Sequence, residues 1–294
     1  MNRSFHSLAG RAAALPGRAG LAPLISSELL GYEVIAALSC PATAGTLVLS
    51  GASALRFCHG APRHLGVLEF SGGTEFDGGS FETVNDILEA FLGRKTDAVI
   101  EALPAPAGGG HRCWRLDIQA DDIDLPARLA VTIDNRPVHR QEAAFLHGNY
   151  DLLPAGIEDV LVPARALPEI LSDMVLDLAG ADPMRIPAAA IWDISWMLKR
   201  GTALDQGLLQ QGLIDRGRGP LSTDLESIID GMGRLAGSVA FRDELRSSIP
   251  EQLAATTIDR PGVPEALARD AAAVLRQAGS MLTHRSAPAD QFML

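Results

Sequence analysis

Three features in the first half of the chain have the residue types and spacing to bind a nucleotide. Residues 50–55, Ser-Gly-Ala-Ser-Ala-Leu, form a run of small residues between a short apolar segment and a predicted helix. Such a turn exposes backbone N–H groups at the positive end of the helix dipole, where phosphate oxygens bind well. Glu69 and Asp117 each lie on a predicted strand further along, and their carboxylates could hold a divalent cation beside that phosphate. The pattern predicts phosphate binding at the turn and one Mg²⁺ between the two acids.

The composition excludes several classes of function. The chain has 294 residues, with 36 acidic and 25 basic side chains other than histidine and a formal net charge of −11. General binding of DNA or RNA needs a basic field, so this charge argues against it. At 47% hydrophobic residues the chain is too apolar to be disordered. Its length suggests one large or two medium domains, with room for a core.

The cysteines and the apolar runs bear on location. Cys40, Cys58 and Cys113 form no Cys-x-x-Cys pair, so they predict neither a zinc site nor a disulfide framework. Reduced thiols of this kind are typical of a cytoplasmic protein. No uninterrupted apolar run approaches the roughly 18 residues that span a bilayer, so we expect no membrane anchor.

The spacing of apolar residues changes in the middle of the chain. Short apolar segments predict strands at 46–50, 64–70, 113–118 and 129–133, with helices at 24–38 and after Ser80 as N-cap. From residue 163 onward, apolar residues recur at the helical period. We therefore predict an α+β fold, with a small mixed β-sheet flanked by helices and a C-terminal helical domain. The predicted segments are a loose arm at 1–20, the α/β domain at 21–162, the helical domain at 163–285 and a loose tail at 286–294.

The order of these residues resembles the nucleotidyltransferase fold, and more narrowly the AbiEii/AbiGii-type family of bacterial toxins. Members carry Lys-Gly-Gly-Thr-Ala-Leu, then Arg-x-Ser-x-Asp-x-Asp-Leu/Phe, then a strand with a third aspartate. Residues 50–55 stand at the first motif, 63–70 at the second and 115–118 at the third. Residues 169–178 and 189–194 stand at two later helix motifs. The resemblance extends over residues 24–201 in consistent order.

The resemblance implies a role for each matching residue. It implies a nucleotide-binding set of Ser50, Gly51, Ser53, Arg63 and Asp193. It also implies that Glu69 and Asp117 are the catalytic and metal-binding carboxylates, with Mg²⁺ and an NTP as their ligands.

Several departures from the family pattern remove charge from this site. Ser50 and Met174 stand where the family has lysines, and Val67 stands where it has its first metal-binding aspartate. Glu69 replaces the second aspartate. Two-metal phosphoryl transfer requires carboxylates that bridge both ions, and the valine removes one of them outright. We therefore expect little or no nucleotidyl transfer and at most weak binding of Mg²⁺.

These observations lead to one expected function and two alternatives. We expect a cytoplasmic nucleotidyltransferase-like protein of a bacterial toxin–antitoxin or phage-defence system, with an impaired catalytic site. Its expected partners are an antitoxin-like protein and a nucleotide or RNA end. The first alternative is an active Mg²⁺-dependent transferase that modifies RNA or protein, with help from Asp122 or Asp124. The second is a purely structural protein-interaction module.

Two histidines beside the turn are candidates for a base or a metal ligand. His59 and His64 flank the loop that follows the predicted short helix. Scattered histidines more often pack in the core or lie at the surface, and we favour that interpretation here.

Overall fold

The computed structural model describes most of the chain. It covers residues 5–39, 46–94, 97–104, 112–120, 126–151, 153–217 and 225–283, without the side chains of 5–7 and 104. Cys40, Asp122, Asp124 and the predicted tail at 286–294 lie outside the described residues. The chain forms two compact units, Met1–Ala166 with Leu245–Thr256 and Leu167–Glu244 with Thr257–Leu294.

The described residues contain the following helices and strands. The helices are α1 (Phe5–Ala13), α2 (Ala22–Leu38), α3 (Gly51–Phe57), α4 (Gly78–Leu92), α5 (Leu167–Ala179), α6 (Ala188–Lys199), α7 (Gln206–Asp215), α8 (Leu225–Ala236), α9 (Val239–Arg246), α10 (Glu251–Thr256) and α11 (Val263–Thr283). The strands are β1 (Val48–Leu49), β2 (Val67–Ser71), β3 (Val99–Pro104), β4 (Cys113–Ala120), β5 (Ala127–Asp134), β6 (Gln141–Phe145) and β7 (Leu161–Arg165). All of these strands belong to the first unit.

The strands form one mixed sheet in the order β3-β4-β5-β2-β1-β7-β6. β2 is parallel to β5 and β1 is parallel to β7, whereas the other neighbouring pairs are antiparallel. The register aligns Glu69 of β2 with Thr132 of β5, and Thr132 with Arg115 of β4. Paired residues point to the same face, so these three side chains lie on one face of the sheet. The predicted α+β class with a mixed sheet is confirmed.

The two faces of the central strands differ in burial. Leu68 and Phe70 of β2, together with Val131 and Ile133 of β5, are buried, and α2 packs against β5. The alternate residues are largely half-buried and polar, Glu69 among them. This alternation is typical of a sheet that packs its helices on one side. The polar face therefore carries the candidate functional residues of the sheet.

Helix α2 is the central helix of the first unit and is apolar on nearly all sides. Ile25, Leu29 and Leu30 are fully buried, and so is Glu28. The segment Ala19–Leu38 is long and apolar enough to cross a membrane by length and composition, and 72% of its most apolar window is buried inside the protein. Glu28 and Glu33 interrupt this segment, so it is not an uninterrupted apolar run of the kind that the sequence prediction concerned.

Both ends of the predicted α/β domain differ from the structure. The predicted loose arm contains α1, in which Leu8, Ala9 and Ala12 are buried and which packs on α2. Leu8 and Ala12 lie on one face of a helix, but two turns are a weak signal in sequence. Residues 163–165, assigned by periodicity to the helical domain, complete β7, and α5 begins at Leu167.

The second unit consists of helices in the part that the structure describes. α5, α6, α7, α8 and α11 pack against one another and bury Ile170, Ile191 and Leu275. Ser195 Oγ donates to Leu267 O at 3.0 Å and joins α6 to α11. The helical period therefore predicted this part of the fold correctly.

Candidate active site

The turn after β1 is a tight connection from strand to helix. Ser50 is the N-cap residue of α3, and its N–H donates to Glu69 O at 2.8 Å. Gly51 follows with a φ of +54°, in the left-handed region that favours glycine. Because Leu49 pairs with Phe70, the turn lies opposite Glu69 across the β1–β2 pair. The structure thus brings the predicted turn and one predicted acid into direct contact.

The carboxylate of Glu69 fills the space in front of this turn. Ala52 N–H donates to Glu69 Oε2 at 2.9 Å. A Cβ atom on Gly51 would lie 2.4 Å from the same oxygen, so only glycine leaves room for the carboxylate. The positive end of a helix stabilises a negative group at this position. Glu69 therefore takes the place in which we predicted a phosphate oxygen.

Ser53 joins the turn to β2. Its hydroxyl accepts from Glu69 N–H at 2.9 Å and donates to Val67 O at 3.2 Å. The side chain is fully buried. A hydroxyl has one proton to donate, and this one is used within the protein. Ser53 acts in this structure as a bridge between α3 and β2.

A polar network that the sequence did not reveal lies beside Ser50. Ser71 Oγ lies 3.3 Å from Ser50 Oγ and donates to Asp134 Oδ1 at 2.8 Å. Arg165 Nη2 donates to Ser71 Oγ at 2.8 Å, and Arg165 is buried. Arg136 Nε pairs with Asp134 Oδ2 at 2.5 Å. The network places a buried cation close to the position where the resemblance expects a lysine.

A polar residue at the end of an apolar strand is the signal that could have revealed this network. Ser71, Asp134 and Arg165 are the last residues of β2, β5 and β7. Apolar spacing predicts where each strand ends, but it does not predict which strands are neighbours. The meeting of these three side chains depends on the strand order.

β5 separates Glu69 from Asp117. Glu69 lies opposite Thr132, Thr132 lies opposite Arg115 of β4, and Asp117 follows two residues later. At about 4.8 Å between strands and about 3.3 Å per residue, the Cα atoms of the two acids are on the order of 12 Å apart. Side chains stand roughly perpendicular to a sheet, so they do not converge across this distance. The strand order therefore places β5 between the two predicted metal ligands.

Asp117 is instead paired within its own strand. Arg115 Nε lies 2.7 Å from Asp117 Oδ1, and Arg115 Nη2 donates to Asp117 Oδ2 at 3.2 Å. Among the described residues, no group of three or more His, Cys, Asp or Glu side chains could hold a metal ion. The carboxylate of Asp117 is thus engaged in an ion pair in this structure. Asp122 and Asp124, the alternative ligands, lie outside the described residues.

Arg63 and Asp193 are the remaining predicted nucleotide contacts. Arg63 is half-buried in the loop between α3 and β2. Asp193 lies on α6 in the second unit, where it is 2% exposed and interacts with other groups of the protein. In the first unit, the structure brings Ser50, Gly51 and Ser53 of the predicted set together with Glu69.

A buried ion cluster holds the loop between α3 and β2 against α2. Glu28 accepts from Arg56 Nε at 2.8 Å and from Arg56 Nη2 at 2.7 Å, and it lies 3.0 Å from His64 Nδ1. Leu65 N–H donates to Glu28 Oε1 at 2.8 Å, and Tyr150 OH donates to Glu28 Oε2. The side chains of Glu28, Arg56, His64 and Tyr150 are all buried. His64 is thus a packing residue of this cluster.

The cluster keeps Glu28 ionised. Burial alone would raise the pKa of Glu28, but the charge of Arg56 and the hydrogen bond and charge of His64 outweigh it and hold the pKa at about 2. Burial and the charge of Glu28 raise the pKa of Tyr150. Tyr150 therefore stays protonated and donates to the carboxylate.

We expect the free energy of unfolding to fall as the pH is lowered from 4.5 toward 2. The pKa of Glu28 is about 2 in the folded protein against an ordinary value of 4.5. The ionised carboxylate therefore stabilises the fold above this window, and the contribution, about 3 kcal/mol, is lost on acidification through it. Urea unfolding across the window measures the loss. Glu28→Gln has no carboxylate to protonate at this position, so its free energy of unfolding should depend less on pH than that of the wild type. The same pH dependence in both proteins would contradict the role of Glu28.

Comparisons with known proteins find similar solved structures. No protein-family model and no curated protein matches the sequence. The protein JHP933 from Helicobacter pylori aligns with a TM-score of 0.44 and 13% identity, over 90% of this chain and 94% of that chain. A candidate nucleotidyltransferase from H. pylori aligns with a TM-score of 0.48 and 12% identity, over 88% and 95%. A likeness at this level says nothing of substrates or catalysis.

Proposed function

We propose that this protein is a nucleotidyltransferase-like pseudoenzyme that binds a partner protein. Its phosphate-binding turn is closed by its own Glu69. The observation that carries the proposal is the bond from Ala52 N–H to Glu69 Oε2 at 2.9 Å, in front of Gly51. The carboxylate and a phosphate would need the same N–H group and the same space. A phosphate would also have to approach a fixed negative charge, which repels it. The turn therefore does not take up the phosphates of an NTP.

The residues beside the turn do not suit a catalytic metal ion either. Val67 precedes Glu69 by two residues on the same face of β2, and Thr132 lies opposite Glu69 on β5. Neither side chain is a carboxylate, the ligand that Mg²⁺ prefers. Asp117 is bound by Arg115 on β4. The protein therefore does not use Mg²⁺ for catalysis and does not carry out nucleotidyl transfer.

The proposed setting is a bacterial toxin–antitoxin or phage-defence system with an antitoxin-like protein as partner. The order of the motif positions from residue 50 to residue 194 supports this role. A cytoplasmic location is supported by the burial of the apolar residues of α2 inside the first unit. Co-purification with the product of a neighbouring gene tests the partner.

We expect no nucleotidyl transfer by the purified protein. The measurement incubates it with each labelled NTP, Mg²⁺ or Mn²⁺, and total RNA, and follows label in RNA and in protein. The physical reason is the closed turn and the missing bridging carboxylate at Val67. The controls are Asp117→Ala and Glu69→Gln. Labelling by the wild type that either variant abolishes would establish the active transferase and overturn the proposal.

A further inference from the structure

Strand β6 leaves one edge of the sheet exposed. In the part of the chain that the structure describes, β6 is the last strand of the sheet and pairs only with β7. Gln141, Glu142 and Ala143 are exposed, and Phe145 is 63% exposed. An edge of this kind presents a row of N–H and C=O groups that another strand can bind.

Alternate residues of β6 direct their backbone groups outward. Ala166 N–H donates to Arg140 O at 2.9 Å, and Leu146 N–H donates to Val160 O at 3.3 Å. In an antiparallel pair every second residue is hydrogen-bonded to the neighbouring strand, so the even-numbered residues of β6 face β7. The residues that face outward are Gln141, Ala143 and Phe145.

We propose that β6 is a dimerisation edge, where β6 of a second copy pairs antiparallel with it about a two-fold axis at Ala143. In this register Ala143 lies opposite Ala143 of the second copy, and Gln141 lies opposite Phe145. The three residues with outward backbone groups therefore lie opposite residues of the second copy whose backbone groups also point outward. Each such pair exchanges two N–H···O=C bonds. The sheets of the two copies become one continuous sheet.

The side chains of β6 match this register. Glu142 lies opposite Ala144 of the second copy, so no like charges face each other. Phe145 shares a face with Leu161, which is 50% exposed. In the dimer Phe145 packs across the stem of Gln141 of the second copy, which covers part of this apolar pair. When β6 pairs with itself in this register, the residues whose N–H and C=O groups point outward lie opposite one another, and no like charges meet. A self-complementary strand is suited to an isologous interface, and this favours a second copy over an unrelated strand.

Cysteine cross-linking tests the register. Ala143→Cys would place two sulfurs on paired residues whose Cα atoms are about 5.5 Å apart, within the range of a disulfide. Ala144→Cys, one residue along, would face Glu142 of the second copy. We expect mild oxidation to link Ala143→Cys into a covalent dimer and to leave Ala144→Cys at the level of the wild type. Equal cross-linking of the two variants, or of neither, would overturn the proposal.

Sedimentation equilibrium tests the dimer without a cross-link. Ala143→Pro removes an outward N–H and leaves the bonds to β7 intact. We expect it to raise the dimer dissociation constant at least about tenfold, with Ala143→Ser as the control that keeps the wild-type value. Thermal unfolding verifies that both variants are folded. A wild type that stays monomeric up to high micromolar concentration, or an unchanged constant in Ala143→Pro, contradicts the proposal.

Discussion

Glu28→Gln should lower the free energy of unfolding by about 3–5 kcal/mol. Glu28 is the common acceptor of Arg56, Leu65 and Tyr150 in the interior of the first unit. Its side chain is 1% exposed and that of Arg56 is 6% exposed. Glutamine is nearly the same size, so no large cavity forms, but Arg56 is left in the interior without its counter-charge. Removing one partner of a buried pair leaves a charge that neither water nor protein compensates.

Urea unfolding at neutral pH measures the effect of Glu28→Gln, and a surface pair provides the matched control. Glu226 and Arg276 form an ion pair at 3.1 Å whose side chains are 68% and 55% exposed. Glu226→Gln makes the same chemical change in water, where solvent screening leaves an ion pair little effect on stability. A loss for Glu28→Gln no larger than that for Glu226→Gln would show that the buried cluster does not stabilise the fold.

Gly51→Ala should cost about 2–4 kcal/mol of unfolding free energy. Two causes add at this position. The φ of +54° is strained for alanine, which costs roughly 1–2 kcal/mol. The new Cβ would also lie 2.4 Å from Glu69 Oε2, so the carboxylate must leave the turn and its bond to Ala52 N–H is lost. Thermal or urea unfolding of the variant measures the sum.

Two further variants separate these causes. Gly73 has a φ of +72° with nothing within 4 Å of an added Cβ, so Gly73→Ala reports the backbone cost alone. In a Glu69→Ala background, Gly51→Ala loses its clash and should approach the cost of Gly73→Ala. We expect a coupling of about 1–2 kcal/mol between positions 51 and 69, within the range for residues in contact. Additive costs would mean that the carboxylate does not occupy the turn.

Local sequence patterns predicted much of the fold because they report local structure. The small-residue turn at Gly51, the strand that carries Glu69 and the helical second unit all follow from spacing within a few residues. The start of α4 was placed less well. Ser80 was predicted as its N-cap, whereas Asp77, three residues earlier, is the cap and accepts from Ser80 N–H. Both side chains have the chemistry of an N-cap, so the residue types alone do not decide between them.

The contents of the candidate site depend on contacts between distant residues. Nothing near Glu69 in the sequence indicates that its carboxylate turns back to Ala52 N–H. The predicted metal pair left the order of the strands open, and in the structure β5 pairs with the strands of Glu69 and Asp117 and separates them. Arg165 joins the site only because β7 lies beside β1. Periodicity predicts that strands exist and is silent on their order.

Calorimetric titration of MgATP tests most directly whether Glu69 closes the turn. The comparison is between the wild type, Glu69→Ala and Asp117→Ala, which each remove one acid from the same polar face of the sheet. Only Glu69 lies against Ala52 N–H and Gly51, so only its removal opens the turn to a phosphate. We predict no saturable binding by the wild type or by Asp117→Ala, and a gain of binding by Glu69→Ala. Saturable binding of MgATP by the wild type, or identical behaviour of the two variants, would contradict the closed turn.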